Sequence, residues 1–174
     1  MNETIKTILN RRSVRSFTDQ RIGRDELELI VKAGIHAPNG RNKQLWHFSA
    51  VCNEALIQKL AHAISKELGS GDDYNFYGPN ALIIVSNQRD NPHGEADSAC
   101  ALENIFLAAH SMGIGSVWIN QLKGICDVPD IRNVLNELKV PADHVVWGMA
   151  ALGYPAHPHK ESKRETEGKI DFIL

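Results

Sequence analysis

The chain has 174 residues, 43% of them hydrophobic and 23% charged, with a formal net charge of −2. A chain of this length is expected to form one domain, 1–174, and to bury about 70% of the surface it exposes when unfolded, so it needs no disulfide or metal staple. These values exclude a disordered chain and a disulfide scaffold. The net charge of −2 argues against a dedicated nucleic-acid binder with its basic surplus, while leaving a phosphate or nucleic-acid binder built on local basic clusters as a competing reading. The longest apolar run, Ala81 to Val85, is far too short to span a bilayer.

The spacing predicts a short helix over 2–10, with Ile5, Ile8 and Leu9 on one face. A second helix over 24–36 has Leu27, Ile30, Val31 and Gly34 at i, i+3, i+4, i+7, and Asp25 and Glu26 favour its start. Ala37-Pro38-Asn39-Gly40 stops it, because the residue before proline disfavours the α region and Asn-Gly is a turn signal. Trp46 to Val51 reads as a strand, and 54–68 as a helix with Leu56, Leu60, Ala63 and Ile64 inside. Ser70 to Asp73 is a loop, and Tyr74 to Pro79 is irregular and aromatic. Ala81 to Ser86 is a buried strand, Asn87 to Gly94 a polar loop, and 96–112 an Ala- and Leu-rich helix closed by Gly113 as its C′ residue. Val117 to Ile119 reads as a strand, 129–138 as a helix opened by Pro129, and His144 to Leu152 as a strand broken by Gly153-Tyr154-Pro155. This order, α-α-β-α-β-α-β-α-β, favours a mixed α/β or α+β sheet with helices packed on it. Periodicity leaves the strand order open.

Neither the dinucleotide G-x-G-x-x-G nor the P-loop pattern occurs, so a Rossmann or P-loop site has no support. Two basic clusters stand out: Lys6, Arg11, Arg12, Arg15, Arg21 and Arg24 near the start, and Lys160, Lys163, Arg164 and Lys169 near the end. Chain termini often lie close together, so the clusters can meet on one anion; the bland alternative is solvated surface charge. In Arg11-Arg12-Ser13-Val14-Arg15 an extended backbone would turn Arg11, Ser13 and Arg15 one way and Arg12 the other. That is either a phosphate clamp or a basic turn facing water. In Pro38-Asn39-Gly40-Arg41-Asn42-Lys43-Gln44 the amides of Asn39, Asn42 and Gln44 can read a planar heterocycle, with Gly40 allowing close backbone approach; a polar turn capping a helix explains them equally.

No His, Cys or carboxylate spacing suits a metal, no nucleophile elbow occurs, and no acid–base pair stands out, so no catalytic side chain is assigned. Cys52, Cys100 and Cys126 read as small, reduced, buried apolar residues, so a cytoplasmic location is expected, and the N-terminal residues show no signal-peptide core. A site for a phosphate and a polar heterocycle without acid, base or nucleophile suits a cofactor that carries its own chemistry, and FMN has both parts.

The sequence resembles the nitroreductase family of flavoproteins. The likeness rests on five motifs in order: Arg11 to Phe17, RRSVRSF; Ala37 to Phe48, APNGRNKQLWHF; Asp97 to Ala109, DSACALENIFLAA; Gly113 to Trp118, GIGSVW; and Ala151 to Pro155, ALGYP, followed by Lys163-Arg164. It implies an α+β fold with a central mixed or antiparallel sheet flanked by helices, in an intertwined homodimer with two FMN sites at the interface. By position, Arg11 and Arg164 would hold the FMN phosphate, with Lys163 and Arg12 beside them. Ser13 and Arg15 would face the pyrimidine side of the ring, and Arg15 would stabilise negative charge there. Asn42 and Gln44 would support the ring or ribityl chain from the partner subunit, and Pro38, Asn39 and Gly40 would line the partner-side wall. The implied reaction is ping-pong: NADH or NADPH reduces the flavin and leaves, and a nitroaromatic, quinone or similar acceptor is then reduced in the same cavity. Relatives act as dehydrogenases, dehalogenases or flavin-fragmenting enzymes, and a non-catalytic flavin sensor is the other alternative. Leu45 stands where the family usually has proline, and Asn39-Gly40 replaces a serine-rich stretch. Tyr74, Phe76 and Tyr77 either cover the pocket or form an aromatic core cluster.

Overall fold

The computed structural model describes residues 1–71, 73–157 and 168–173. Its helices are α1 (Glu3–Asn10), α2 (Arg24–Ile35), α3 (Glu54–Leu68), α4 (Gly94–Ser111) and α5 (Pro129–Glu137), and its strands β1 (Trp46–Val51), β2 (Ala81–Gln88), β3 (Gly115–Ile119) and β4 (His144–Gly153). They follow one another in the order read from the sequence. Local chemistry sets the ends. The Asn2 and Asn53 side chains accept from the N–H groups of Ile5 and Leu56, capping α1 and α3. At the end of α4, Gly113 takes φ 75°, its N–H donates to His110 O, and Ile114 N–H donates to Ala109 O, the paired bonds of a Schellman cap.

The sheet order is β1-β2-β4-β3, with every neighbouring pair antiparallel. One face packs under α3 and α5, joining Ile57, Leu60 and Ile64 to Leu82, Ile84, Met149 and Ala151. The other packs under α2 and α4, joining Ile30, Leu102 and Ile105 to Ile83, Val85, Ala150 and Leu152. β2 alternates between these two cores, which is why Ala81 to Val85 is apolar without interruption although the sheet is antiparallel. β2 runs past its predicted end at Ser86 to Gln88, because Asn87 and Gln88 still pair with Val145 and His144. The register slips between Val85 and Ser86, leaving Trp147 of β4 without a partner in a bulge.

One expectation fails in part: Cys126 is buried, but Cys52 and Cys100 are exposed, Cys52 just beyond the edge strand and Cys100 on the outer side of α4. The apolar face of α1 is as periodic as predicted, yet Ile5, Ile8 and Leu9 are all exposed, since no described element covers it.

Where β1, β2 and β4 meet on the α3–α5 side, the sheet holds a small polar cluster. Ser86 Oγ lies 3.1 Å from His144 Nδ1, Ser49 Oγ lies 3.4 Å from His47 Nδ1, and the two imidazoles meet edge to face at 6.2 Å. Burial pushes both histidines below their ordinary range, with Asp143 partly opposing this at His144. A histidine depressed in the folded state stabilises the fold above its unfolded pKa of about 6.5 and loses that contribution as pH falls below it. Thermal unfolding followed by circular dichroism is therefore expected to give a flat melting temperature from pH 8 to 7 and a falling one towards pH 5. The slope should be shallower in His144→Asn. Equal slopes in the two proteins would show that this ring does not carry the effect.

Candidate functional site

The first basic segment lies along the outer edge of β3. Ser13 bridges Ser116 in parallel, Val14 N–H donates to Ser116 O at 2.9 Å, and the Val14 side chain fills the space over Gly115. The predicted alternation holds from Arg12 onward: Arg12 and Val14 are half-buried, whereas Ser13 and Arg15 are exposed. Arg11 departs from it because it caps α1. Its side chain, 20% exposed, lies across the Phe106 ring of α4 at 5.8 Å, and its only described acid partner is Glu103 at 3.8 Å. Phe106 in turn meets the exposed Trp118 of β3 at 5.8 Å. Arg12 turns back, and its Nη1 donates to the carbonyls of Leu9 and Arg11 at 2.8 Å each, tying down the end of α1. Arg15 stands over the Tyr77 ring at 5.8 Å.

Tyr77 belongs to the aromatic stretch, and the structure divides that stretch into buried and exposed rings. Phe76 is fully buried and packs edge to face on Tyr74 at 5.3 Å, so these two form core. Tyr77 is exposed beside Arg15, on the site side. Phe76 and Tyr77 have φ of 57° and 70°, a left-handed backbone that bulky residues rarely adopt. A buried anchor followed by a presented ring explains why the turn tolerates it.

The amide-rich segment sits elsewhere, at the N-terminal end of α4. Gly40–Asn42 forms a single 3-10 turn. Gly40 N–H donates to Asp97 Oδ1 at 2.8 Å, Asn39 Oδ1 accepts from Gln44 N–H at 3.0 Å, and Gln44 Nε2 donates to Asn42 Oδ1 at 3.2 Å. Pro38 is exposed beside the buried Ala37. The close approach that Gly40 permits is to His93: a Cβ at Gly40 would come within 2.5 Å of that ring. A side chain at this position would therefore have to displace the His93 ring.

Within one chain the two clusters do not meet. Asp97 and Asn104, which donates to Ala33 O at 3.0 Å, hold the Pro38–Gln44 turn and α2 on one flank of α4. Phe106, which carries Arg11, is nine residues beyond Asp97, about half a turn round the helix and some 13 Å further along. Lys163 and Arg164 of the second basic cluster, with Lys160, lie outside the described residues. The chain leading to them runs beside the first cluster, with Ala156 N–H donating to Ser16 O at 3.0 Å and Pro155 bridging Phe17.

Sequence reasoning missed Phe106, Trp118 and the Asp97 anchor as parts of the site. Phe106 and Trp118 stood in the motifs DSACALENIFLAA and GIGSVW without a role of their own. Asp97 and Asn104 stood in a motif, but only the folded chain shows that they brace the turn and α2.

A four-stranded antiparallel sheet between two helical layers, with a basic segment on one flank of the central helix and an amide-rich turn on the other, defines the class of α+β chain. The sequence pattern of the Nitroreductase family matches residues 8–154. The fold is similar to that of a nitroreductase with bound FMN from Bacteroides fragilis, with 40% identity, a TM-score of 0.91 and 100% coverage of both chains. The sequence is 32% identical to an Archaeoglobus fulgidus protein provisionally named NADH dehydrogenase/NAD(P)H nitroreductase, over 89% of this chain and 87% of that one. It is 30% identical to the FMN reductase (NADPH) of Bacillus subtilis, over 90% of this chain and 68% of that one. This chain belongs to the nitroreductase family.

Proposed function

We propose that this protein is an FMN-dependent oxidoreductase that takes electrons from NADH or NADPH and passes them, in two alternating half-reactions, to a nitroaromatic, quinone or similar small acceptor. Residues 1–174 act as one FMN-binding domain, working as a homodimer in the cytoplasm. FMN, when bound, supplies the two-electron redox chemistry. The residues present fit it. Arg11 carries the reading: its guanidinium is held in place by Phe106, is matched by a single described acid at 3.8 Å, and so retains donors for a phosphate. Arg12 fixes the backbone that presents it, and Arg164 with Lys163 completes the anion site. Ser13 and Arg15 face the pyrimidine edge of the ring, where a cation stabilises negative charge.

The separation of the clusters on α4 supports a shared site. Asn42 and Gln44, with Pro38, Asn39 and Gly40 behind them, reach the ring from a second copy, since their own chain holds them away from Arg11. The apolar residues left exposed on α1, with Trp118 and the terminal Ile170, Phe172 and Ile173, are the kind of surface a second copy covers.

The purified protein is expected to show flavin absorption bands that bleach when NADH or NADPH is added without oxygen, and to scatter light as a dimer. Bands that persist with both donors would overturn the oxidoreductase reading. A monomer holding stoichiometric FMN would overturn the shared site.

A further inference from the structure

The Pro38–Gln44 turn is held in a shape that side chains resist. Arg41, Asn42 and Gln44 have φ of 55°, 53° and 51°, so three non-glycine residues out of four lie in the left-handed region. Such a backbone persists only where its surroundings leave no alternative. The constraint comes from a buried carboxylate 57 residues away in the chain.

Asp97 is 6% exposed and is not among the ion pairs of the described residues. Its charge is answered by two neutral donors. Oδ1 accepts Gly40 N–H at 2.8 Å, and Oδ2 accepts Asn91 Nδ2 at 3.1 Å. Asn91 is itself fixed, donating to Asn87 Oδ1 at 2.8 Å and accepting His93 N–H at 3.1 Å. The His93 ring closes the other side of Gly40. With Gly40 clamped, the bonds that Gln44 donates, from its N–H to Asn39 Oδ1 and from its Nε2 to Asn42 Oδ1, restrain the strained residues further.

We infer that Asp97 is the positioning residue that fixes the Pro38–Gln44 turn in its strained form and thereby sets the affinity for FMN. This rests on the reading that Asn42 and Gln44 contact FMN across the dimer. The chemistry requires a carboxylate in particular, because two donors converge on it from opposite sides. An amide there accepts from Gly40 and turns its own NH2 group against that of Asn91, donor against donor. Exchanging the two side chains removes the conflict: the amide at 97 then donates to a carboxylate at 91, which still accepts His93 N–H. Asn87 can answer that carboxylate by turning its Nδ2, which is buried and without a partner.

The test compares Asp97→Asn with the double variant Asn91→Asp/Asp97→Asn. Hydrogen exchange of the peptides covering residues 38–46 is measured on the FMN-free full chain, and the FMN dissociation constant by flavin fluorescence. In Asp97→Asn both exchange in this turn and the dissociation constant are expected to rise at least tenfold, a loss consistent with hydrogen bonds to a charged group. The double variant is expected to bring both back to within about threefold of the wild type. Unchanged exchange in Asp97→Asn overturns the inference, and so does faster exchange with unchanged FMN affinity. If Asp97→Asn fails to fold, a double variant that folds and binds supports the inference, and one that folds without binding overturns it. A wild-type chain that binds no FMN overturns the underlying cofactor reading instead, and the exchange data still decide whether Asp97 holds the turn.

Discussion

Arg11→Ala is expected to weaken FMN binding by about 1.5–3 kcal/mol, roughly 10- to 100-fold, because it removes charge-assisted hydrogen bonds to a phosphate. Arg24→Ala serves as the comparison. Arg24 belongs to the same basic cluster in sequence, but its side chain is 89% exposed on α2 and paired with Glu28 at 2.7 Å. Net charge changes equally in both variants, so a difference between them reports local geometry and not the overall field. The Arg11 side chain is held across Phe106, and little rotamer freedom is left to lose when an anion arrives. Flavin content after gel filtration and the dissociation constant by fluorescence quenching provide the measurement. Equal FMN retention in the two variants would remove Arg11 from the phosphate site.

Phe76→Ala is expected to have the largest effect on stability, a loss of about 3–5 kcal/mol, since a fully buried ring is removed and the walls around it collapse only in part. In a domain of this size each kcal/mol lowers the melting temperature by about 2–4 °C. The ring meets Tyr74, whose phenol burial pushes up, edge to face, and it anchors the turn that sets Tyr77 beside Arg15. Tyr77→Ala removes only the exposed ring and is expected to stay within about 0.5 kcal/mol of the wild type. Urea unfolding of the two variants separates the roles. Equal midpoints would mean that Phe76 is no more a core residue than Tyr77.

The aromatic stretch illustrates how far a sequence carries function. Tyr74, Phe76 and Tyr77 have no periodicity, so covering a pocket and filling a core were equally good readings of them. Burial separates them, and burial depends on what packs from elsewhere. Cys52 and Cys100 show the same limit: their residue type favours the interior, and their position at the sheet edge and on the outer side of α4 overrides it. The phosphate-clamp reading of Arg11 came from residue type, local spacing and the position of its motif. Its partners Phe106 and Glu103 lie more than ninety residues along the chain, and no local pattern links them.

By itself the sequence determined the order of helices and strands and the approximate place of each, since hydrophobic period, caps and turn residues act over a few positions; the end of β2 was set instead by its pairing with β4. It also determined the ligand chemistry on offer, because guanidinium and amide groups keep their donors and acceptors wherever they are placed. Tertiary structure alone decided the order β1-β2-β4-β3, the clamp of Asp97 on Gly40 and the placement of the two candidate clusters on opposite flanks of α4. Those depend on which surfaces bury each other, a choice made by the whole core at once, and local periodicity is the same for any strand order that buries the same faces.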